Sequence, residues 1–332
     1  MSGLLHVAAA WKAMTGGSFL HTRDGARRAI TLMYHEVLPD KVNIPCWLVV
    51  KQSAFEKQMR WLKRHFNVVD LDTAANLLEN GTRAHSNEKP LAIVTFDDGY
   101  AGNLSCVLPI MRSLQLPFTV YIATRATMDG RRYWYDDIAC ALMDSGRRTQ
   151  EINSSQGTIT FKHGTDGNSR RWDRINQILT SFKRLPVEER ELAAKALGGC
   201  CAFPEYRMLK AEEVSRMAGD SLVSIGNHTH THDLLNQLND EEARLSIVRA
   251  QEILRNLTGV APVHFSYPNG NRTCDLDRLV EELGFRTAVG TTFGAWLSKT
   301  SRYNIPRLSV GRFDSLWKFR FRALLAVFAA AS

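Results

Sequence analysis

The chain has 332 residues and a formal charge of +8, from 42 basic and 34 acidic side chains. Its composition, 44% hydrophobic and 23% charged, excludes disorder of the whole chain and allows one large α/β domain or two small ones. No secretory leader and no run of about eighteen apolar residues is recognised, and the six cysteines form no C-x-x-C pair. We therefore expect free thiols and a cytoplasmic location.

Strands and helices alternate between residues 29 and 123, after a segment over residues 1–28 that we interpret as an N-terminal accessory region. Leu91–Phe96 is almost wholly apolar, which is typical of a parallel strand covered on both faces. The other elements predicted here are strands at 29–35, 68–71 and 118–123, a helix at 55–65, a helix from Asp72 or Thr73 to Asn80, and a helix at 103–114.

This alternation breaks at about residues 125–220, which we interpret as a mainly helical insertion. It contains predicted helices at 135–143, 171–183 and 187–197 and a β-like stretch at 158–162. Strands are then predicted at 222–225, 263–267, 285–289 and 305–310, helices at 240–257 and 276–283, and a basic, aromatic C-terminal helix at 311–332. Roughly seven βα units indicate a barrel or a doubly wound sheet, with functional residues at the C-terminal ends of the strands.

Two adjacent carboxylates, Asp97 and Asp98, follow the most apolar strand in the segment Thr95–Gly99. Consecutive side chains of a strand point in opposite directions, so the two can have different roles. Burying both without a cation would cost several kcal/mol. The alternative is that one of them only caps the next helix, a common role for aspartate.

Three histidines lie within five residues, at His228, His230 and His232. Imidazole is a common ligand of transition metals, and a spacing of four lets His228 and His232 reach one ion if the loop turns between them. Zinc hydrolases often use three protein ligands, so the two histidines and one aspartate would complete such a site. His230 is left for a surface or supporting position. The alternative is a polar turn that faces solvent.

Together these segments resemble the polysaccharide deacetylases of carbohydrate esterase family 4, the NodB-homology domain. Thr95–Gly99 matches the family motif T-F-D-D-G, and His228–His232 matches H-[ST]-x-x-H. The resemblance covers roughly residues 30–310 and implies an α/β fold, an irregular (β/α)7 barrel. It also implies that Asp97 is the catalytic base and that Asp98, His228 and His232 bind one divalent metal, most often Zn²⁺, with Co²⁺ or a similar ion as the alternative.

The segment Phe265–Gly270 is similar to the family motif F-R-P-P-Y-G, but Ser266 stands where an arginine normally steadies the catalytic aspartate. By the same resemblance, the backbone N–H of Asn269 would stabilise the oxyanion. The family's last motif, L-x-H, supplies a proton-donating histidine. The corresponding segment, Ile305–Val310, contains none.

Two residues are candidates for the missing roles. Arg307, at a strand end, could replace the arginine beside Asp97, or it could be a surface residue. His35 closes the first strand and could donate the proton, or it could be structural. Trp134–Asp137 of the insertion could line a sugar site, since aromatic rings stack on pyranose faces, or form the buried face of a helix.

The resemblance implies hydrolysis of N-acetyl groups from an N-acetylhexosamine-containing oligo- or polysaccharide, with release of acetate. The protein would thus be a hydrolase of non-peptide carbon–nitrogen bonds whose partner is an N-acetylated glycan. The alternatives are an inactive carbohydrate-binding protein with this fold and an amidohydrolase of another small amide. A nucleic-acid binder is a weak third alternative, because the charge is diffuse and no nucleic-acid motif is recognised, so we expect no nucleic-acid partner. The C-terminal segment 311–332 could lie on a membrane surface, but a packed helix is the simpler interpretation.

Overall fold

The computed structural model describes residues 27–44, 46–80, 88–143, 149–154, 157–162, 168–197 and 203–329. The predicted accessory segment therefore lies outside the described residues, except for its last two. The strands are β1 (Ala29–Tyr34), β2 (Glu36–Leu38), β3 (Val49–Lys51), β4 (Asn67–Val68), β5 (Leu91–Phe96), β6 (Phe118–Ile122), β7 (Thr149–Ser154), β8 (Gly157–Lys162), β9 (Val223–Asn227), β10 (His264–Ser266), β11 (Thr287–Val289) and β12 (Leu308–Ser309). The α-helices are α1 (Gln52–His65), α2 (Leu71–Glu79), α3 (Leu108–Leu114), α4 (Thr124–Asp129), α5 (Trp134–Met143), α6 (Asn168–Phe182), α7 (Val187–Ala196), α8 (Ala211–Ala218), α9 (Asp240–Thr258), α10 (Cys274–Glu282) and α11 (Leu316–Ala329).

Seven strands form a continuous parallel sheet in the order β11-β10-β9-β6-β5-β1-β12, and β4 pairs with β5 beside it. The two edges of the sheet are joined by the segment before β12. Ile305 forms a parallel bridge with Val289 of β11, and Leu308 then pairs with Leu32 of β1. The predicted irregular (β/α)7 barrel is confirmed.

The middle of the sheet is buried on both faces, as the apolar sequence of β5 predicts. All six residues of Leu91–Phe96 are buried, and Phe96 lies 5.4 Å from Tyr34 and 5.8 Å from Phe118 between ring centroids. Because parallel strands share one direction, β5, β9 and β10 deliver the residues that follow them to the same edge of the sheet.

The segment between β6 and β9 is mainly helical, as predicted, and has its own apolar core. That core includes Ile138, Trp172 and Ile175 and is distinct from the core around the sheet. The β-like stretch at 158–162 is one arm of an antiparallel hairpin, β7–β8. The sequence did not reveal the other arm, since Thr149–Ser154 shows no apolar alternation.

The strand predicted at 68–71 is wrong in its second half. Pairing with β5 ends at Val68, and helix α2 already begins at Leu71. The side chain of Asp70 accepts a hydrogen bond from the N–H of Thr73 at 2.6 Å. An aspartate at this position caps a helix, which ends the strand early.

The C-terminal helix begins at Leu316 instead of residue 311. Residues 311–314 form a turn in which Asp314 accepts hydrogen bonds from the Gly311 N–H and from Arg322. Phe319 of the helix is buried 5.7 Å from Trp61 of α1, so this helix packs on the main core. None of the described helices combines the length and the apolarity needed to cross a membrane.

Candidate metal centre and active site

Asp98, His228 and His232 converge at the C-terminal edge of the sheet, on the loops after β5 and β9. The Oδ1 atom of Asp98 lies 3.3 Å from His228 Nε2 and 3.1 Å from His232 Nε2. The three potential ligand atoms lie within 4.8 Å of one another. His228 Nδ1 lies 2.7 Å from the Ser266 carbonyl oxygen, to which it donates, and this fixes the proton on Nδ1 and turns Nε2 toward Asp98.

The polar atoms of this cluster fit a cation. Asp98 Oδ1 is buried and receives no hydrogen bond of ordinary geometry from the described residues, which is costly unless a positive charge lies beside it. Burial lowers the pKa of His228, but the close contact with Asp98 and the charges of both aspartates together raise it further than burial lowers it.

His230 points away from this cluster. Its Nδ1 atom lies 2.8 Å from the hydroxyl of Thr124 at the start of α4, and its backbone N–H donates to the Ser246 carbonyl of α9. His230 therefore packs the loop against two helices behind the cluster.

Asp97 has different partners from its neighbour. Arg307 donates to both of its carboxylate oxygens, at 2.8 and 2.7 Å, and is almost completely buried. The hydroxyl of Ser266 lies 3.4 Å from Asp97 and 3.2 Å from Arg307. The short side chain of Ser266 leaves room for a guanidinium that enters from the segment before β12. Burial raises the pKa of Asp97 more than any single neighbour lowers it, but the charges of Arg307, His228 and His35 and the hydrogen bonds from Arg307 together outweigh burial, so the pKa lies below its usual range.

Backbone strain is concentrated at this edge of the sheet. Of the five non-glycine residues with positive φ in the described parts of the chain, four lie here: Asp98, Thr229, His232 and Asn269. Gly99 also has a positive φ of 80°, and a Cβ there would lie 2.9 Å from Ile122. Strained conformations of this kind persist where the surrounding structure holds functional groups in place.

A cavity of about 550 Å³ opens above the cluster, within the ~300–1,000 Å³ that is usual for small-molecule sites. Its walls include Asp97, His35 and Asn269. His35 Nδ1 is buried with no hydrogen-bond partner among the residues described. Burial lowers the pKa of His35, and the charges of Asp98 and Asp97 offset this only in part.

The insertion forms the opposite wall of the cavity and contacts the cluster directly. The hydroxyl of Tyr135 donates to Asp98 Oδ2 at 3.0 Å, and that of Tyr133 donates to the Asp98 carbonyl at 2.9 Å. Asp136 is buried and accepts from the hydroxyls of Tyr100 and Tyr206, and burial raises its pKa to about 8. The sequence left this segment as either a sugar-site wall or the buried face of a helix, and it gave no sign that Tyr135 reaches Asp98.

Comparison with known proteins agrees with this geometry. Residues 84–288 match the family model described as polysaccharide deacetylase, which is more than half of the chain. The chain belongs to the polysaccharide deacetylase family. This confirms the resemblance inferred from the two motifs.

Individual relatives of this family member are distant or match only in part. A peptidoglycan-N-acetylglucosamine deacetylase of Bacillus cereus is 42% identical over 57 residues, which are 17% of this chain. The match spans only a fifth (20%) of that relative's own length.

Solved structures match over most of the chain. The Streptococcus pyogenes deacetylase PplD, solved with acetate, has a TM-score of 0.57 at 14% identity, over 88% of this chain and 96% of its own. IcaB from Ammonifex degensii has a TM-score of 0.56 at 17% identity, over 90% and 97%. At this identity the likeness establishes the fold.

Proposed function

We propose that the protein hydrolyses the N-acetyl group of an N-acetylhexosamine unit in an oligo- or polysaccharide and releases acetate. The observation that carries this proposal is the pair of adjacent carboxylates with opposite surroundings. Asp98 faces two imidazole nitrogens, and its buried Oδ1 atom has no hydrogen-bond partner among the described residues, whereas Asp97 is paired with Arg307. One carboxylate is thus suited to hold a metal and the other to move a proton.

Asp98, His228 and His232 would hold one divalent ion, for which Zn²⁺ suits a site with two imidazoles and one carboxylate. Such an ion supplies Lewis-acid chemistry, because it polarises the amide carbonyl and lowers the pKa of water. The hydrogen bond from Tyr135 keeps Asp98 Oδ2 satisfied, which leaves Oδ1 for the ion.

Asp97 is the general base in this proposal. The bidentate contact with Arg307 keeps its carboxylate ionised and fixed in orientation. It accepts a proton from water as the amide carbon is attacked. Arg307 does not take part in proton transfer itself, since guanidinium remains protonated.

The leaving amine needs a proton, and His35 is the group proposed to supply it. It lines the same cavity as Asp97, and its buried Nδ1 atom has no hydrogen-bond partner among the described residues. A lowered pKa makes its imidazolium a stronger acid, although less of it is present at neutral pH. The backbone N–H of Asn269, on the loop after β10, is proposed to donate to the oxyanion.

The proposal is tested by measuring acetate release from a panel of N-acetylated oligosaccharides, with and without a chelator and after Zn²⁺ is added back. We expect release from at least one glycan, its loss with chelator, and its recovery with metal. Glycan binding without acetate release would instead indicate an inactive carbohydrate-binding protein. Turnover of a formamido sugar or a ureide, with no acetate from any glycan, would indicate an amidohydrolase of another small amide.

A further inference from the structure

Two cations of the insertion, Arg190 of α7 and Lys183 just after α6, line the cavity above the metal cluster. Arg190 is only 5% exposed. Its Nε donates to the Leu185 carbonyl at 2.9 Å, and its guanidinium lies 5.5 Å from the centre of the Trp134 ring. Lys183 donates to the side-chain oxygen of Asn269. All of these partners are electrically neutral.

Neither cation forms an ion pair with a carboxylate within the described part of the chain. Three arginines of the adjacent pocket do: Arg125 pairs with Glu191 at 3.1 Å, Arg132 with Asp137 at 2.8 Å and Arg207 with Glu213 at 2.7 Å. Asp233 and Glu188 interact electrostatically with Arg190, but both lie beyond ion-pair distance. Asp98 interacts electrostatically with Lys183 from across the cavity.

An unpaired charge in a buried site is unfavourable, because contact with water is lost and no counter-charge replaces it. Asp98 does not supply that counter-charge when it binds a metal ion. Asp173 also lines the cavity, but it is exposed. The neighbouring walls are aromatic, at Trp47 and Trp172. The other two carboxylates of the cavity wall are also engaged, since Asp97 is paired with Arg307 and Asp136 accepts hydrogen bonds from two tyrosines. The remaining source of negative charge is a ligand that fills the cavity.

We propose that Arg190 and Lys183 form an anion-binding subsite, and that the substrate is an N-acetylated glycan that carries a carboxylate or a phosphate. This inference rests on the proposed function and adds the chemical class of the substrate. Guanidinium and ammonium groups bind both kinds of oxyanion. Because Lys183 also contacts Asn269, the anion would bind on the deacetylated sugar or on the next one.

The test compares kcat/KM for three N-acetylated oligosaccharides of equal length: a neutral chitooligosaccharide, one with a carboxylated sugar beside each N-acetylhexosamine, and one that bears a phosphate monoester. We expect the wild-type enzyme to prefer at least one anionic substrate by ~10–100-fold, the usual effect of a hydrogen bond to a charged group. The preferred arm identifies the anion. Equal kcat/KM for all three, or a preference for the neutral glycan, overturns the inference.

Lys183→Gln and Arg190→Gln should each bring the ratio of anionic to neutral kcat/KM close to one, mainly through KM for the anionic substrate. Arg184→Gln is the matched control, since it removes the same charge from an exposed neighbour outside the cavity. Its ratio should stay at the wild-type value. A ratio that falls equally in all three variants would reflect general electrostatics and would overturn the subsite.

Failure of the proposed function gives a different result, because no substrate of the panel then releases acetate. In that case, calorimetric titration of the same protein with the three oligosaccharides still tests the subsite. Tighter binding of an anionic glycan that is lost in Lys183→Gln supports it. Equal binding of all three, or a preference unchanged in Lys183→Gln, contradicts it.

Discussion

The edge of the sheet and the insertion above it contribute to one cavity in different ways. At the sheet edge, both carboxylates have partners in the chain. Arg307 forms an ion pair with Asp97, and His228 and His232 lie against Asp98. On the insertion, Lys183 and Arg190 have only neutral partners. The strand ends thus supply the groups for the proposed chemistry, while the insertion supplies the groups of the proposed anion-binding subsite.

The largest effect is expected when one imidazole of the metal cluster is removed, because this tests whether the strand ends hold a metal ion. His228→Ala should abolish acetate release and lower metal affinity by more than the ~10–100-fold typical of losing a group that only supports a ligand. Metal content per protein, measured after dialysis against dilute Zn²⁺, checks this. In His230→Gln, which alters the histidine facing Thr124, the metal content should stay at one ion. Equal metal loss in both variants would argue against the assigned ligands.

Asp97→Asn distinguishes the role proposed for Asp97, the general base, from that proposed for Asp98, a metal ligand. It should lower kcat by ~10²–10⁴-fold, the usual contribution of a general base, with little change in metal content. Steady-state kinetics and metal analysis of the same preparation check this. Turnover close to that of the wild type would rule out Asp97 as the base.

Arg307→Met removes the cation that holds Asp97. Breaking a buried ion pair should lower the free energy of unfolding by ~3–5 kcal/mol, measured by urea denaturation. The pKa of Asp97 is lowered in the native protein, so its stabilising contribution is present above the unfolded pKa and is lost as pH falls through the folded pKa. In Arg307→Met the carboxylate of Asp97 stays buried but loses its counter-charge, so the pKa of Asp97 should rise. The acid limb of the pH profile of kcat/KM should therefore move to higher pH.

Arg286→Met is the control for this variant. It breaks a partly exposed pair with Asp72, which should cost about 0–1 kcal/mol and leave the acid limb unchanged. If both variants shifted the limb equally, the pairing with Arg307 would not set the pKa of Asp97.

His35→Gln tests the proposed proton donor. We expect kcat to fall by roughly 10²-fold, the lower end for a general acid, with a normal metal content. The loss should be smaller for a substrate with a better leaving group, such as an N-acetylated arylamine, because that amine needs less help from a proton. An equal loss for both substrates would assign His35 a structural role.

The smallest effect is expected on the wall formed by the insertion. Trp134→Ala should raise KM for the glycan by about 2- to 10-fold, the range for one aromatic contact, and change kcat little. Trp317→Ala removes an exposed tryptophan of the C-terminal helix and should leave KM unchanged. Initial rates across a range of glycan concentrations distinguish the two, and an unchanged KM in Trp134→Ala would remove Trp134 from the sugar site.

The sequence by itself indicated a barrel or a doubly wound sheet, and the family that its two motifs resemble favoured the barrel; it also determined the parts of the site that lie in those short motifs. The apolar run of Leu91–Phe96 identified a buried parallel strand, and the spacing of His228 and His232 indicated two ligands. These features are local, since the residues that matter lie within a few positions of each other. The predicted end of the strand at 68–71 was wrong. The side chain of Asp70 caps the next helix there, and this cap outweighed the apolar pattern on which the prediction relied.

Only the tertiary structure decided which distant groups meet. From the sequence, Arg307 could be either a surface residue or the partner of Asp97. The fold brings it into contact with Asp97, which is 210 residues away in the chain. Tyr135 at Asp98, and Lys183 at Asn269, could not be foreseen. These contacts depend on how the insertion folds back over the sheet edge, and sequence spacing does not encode that path.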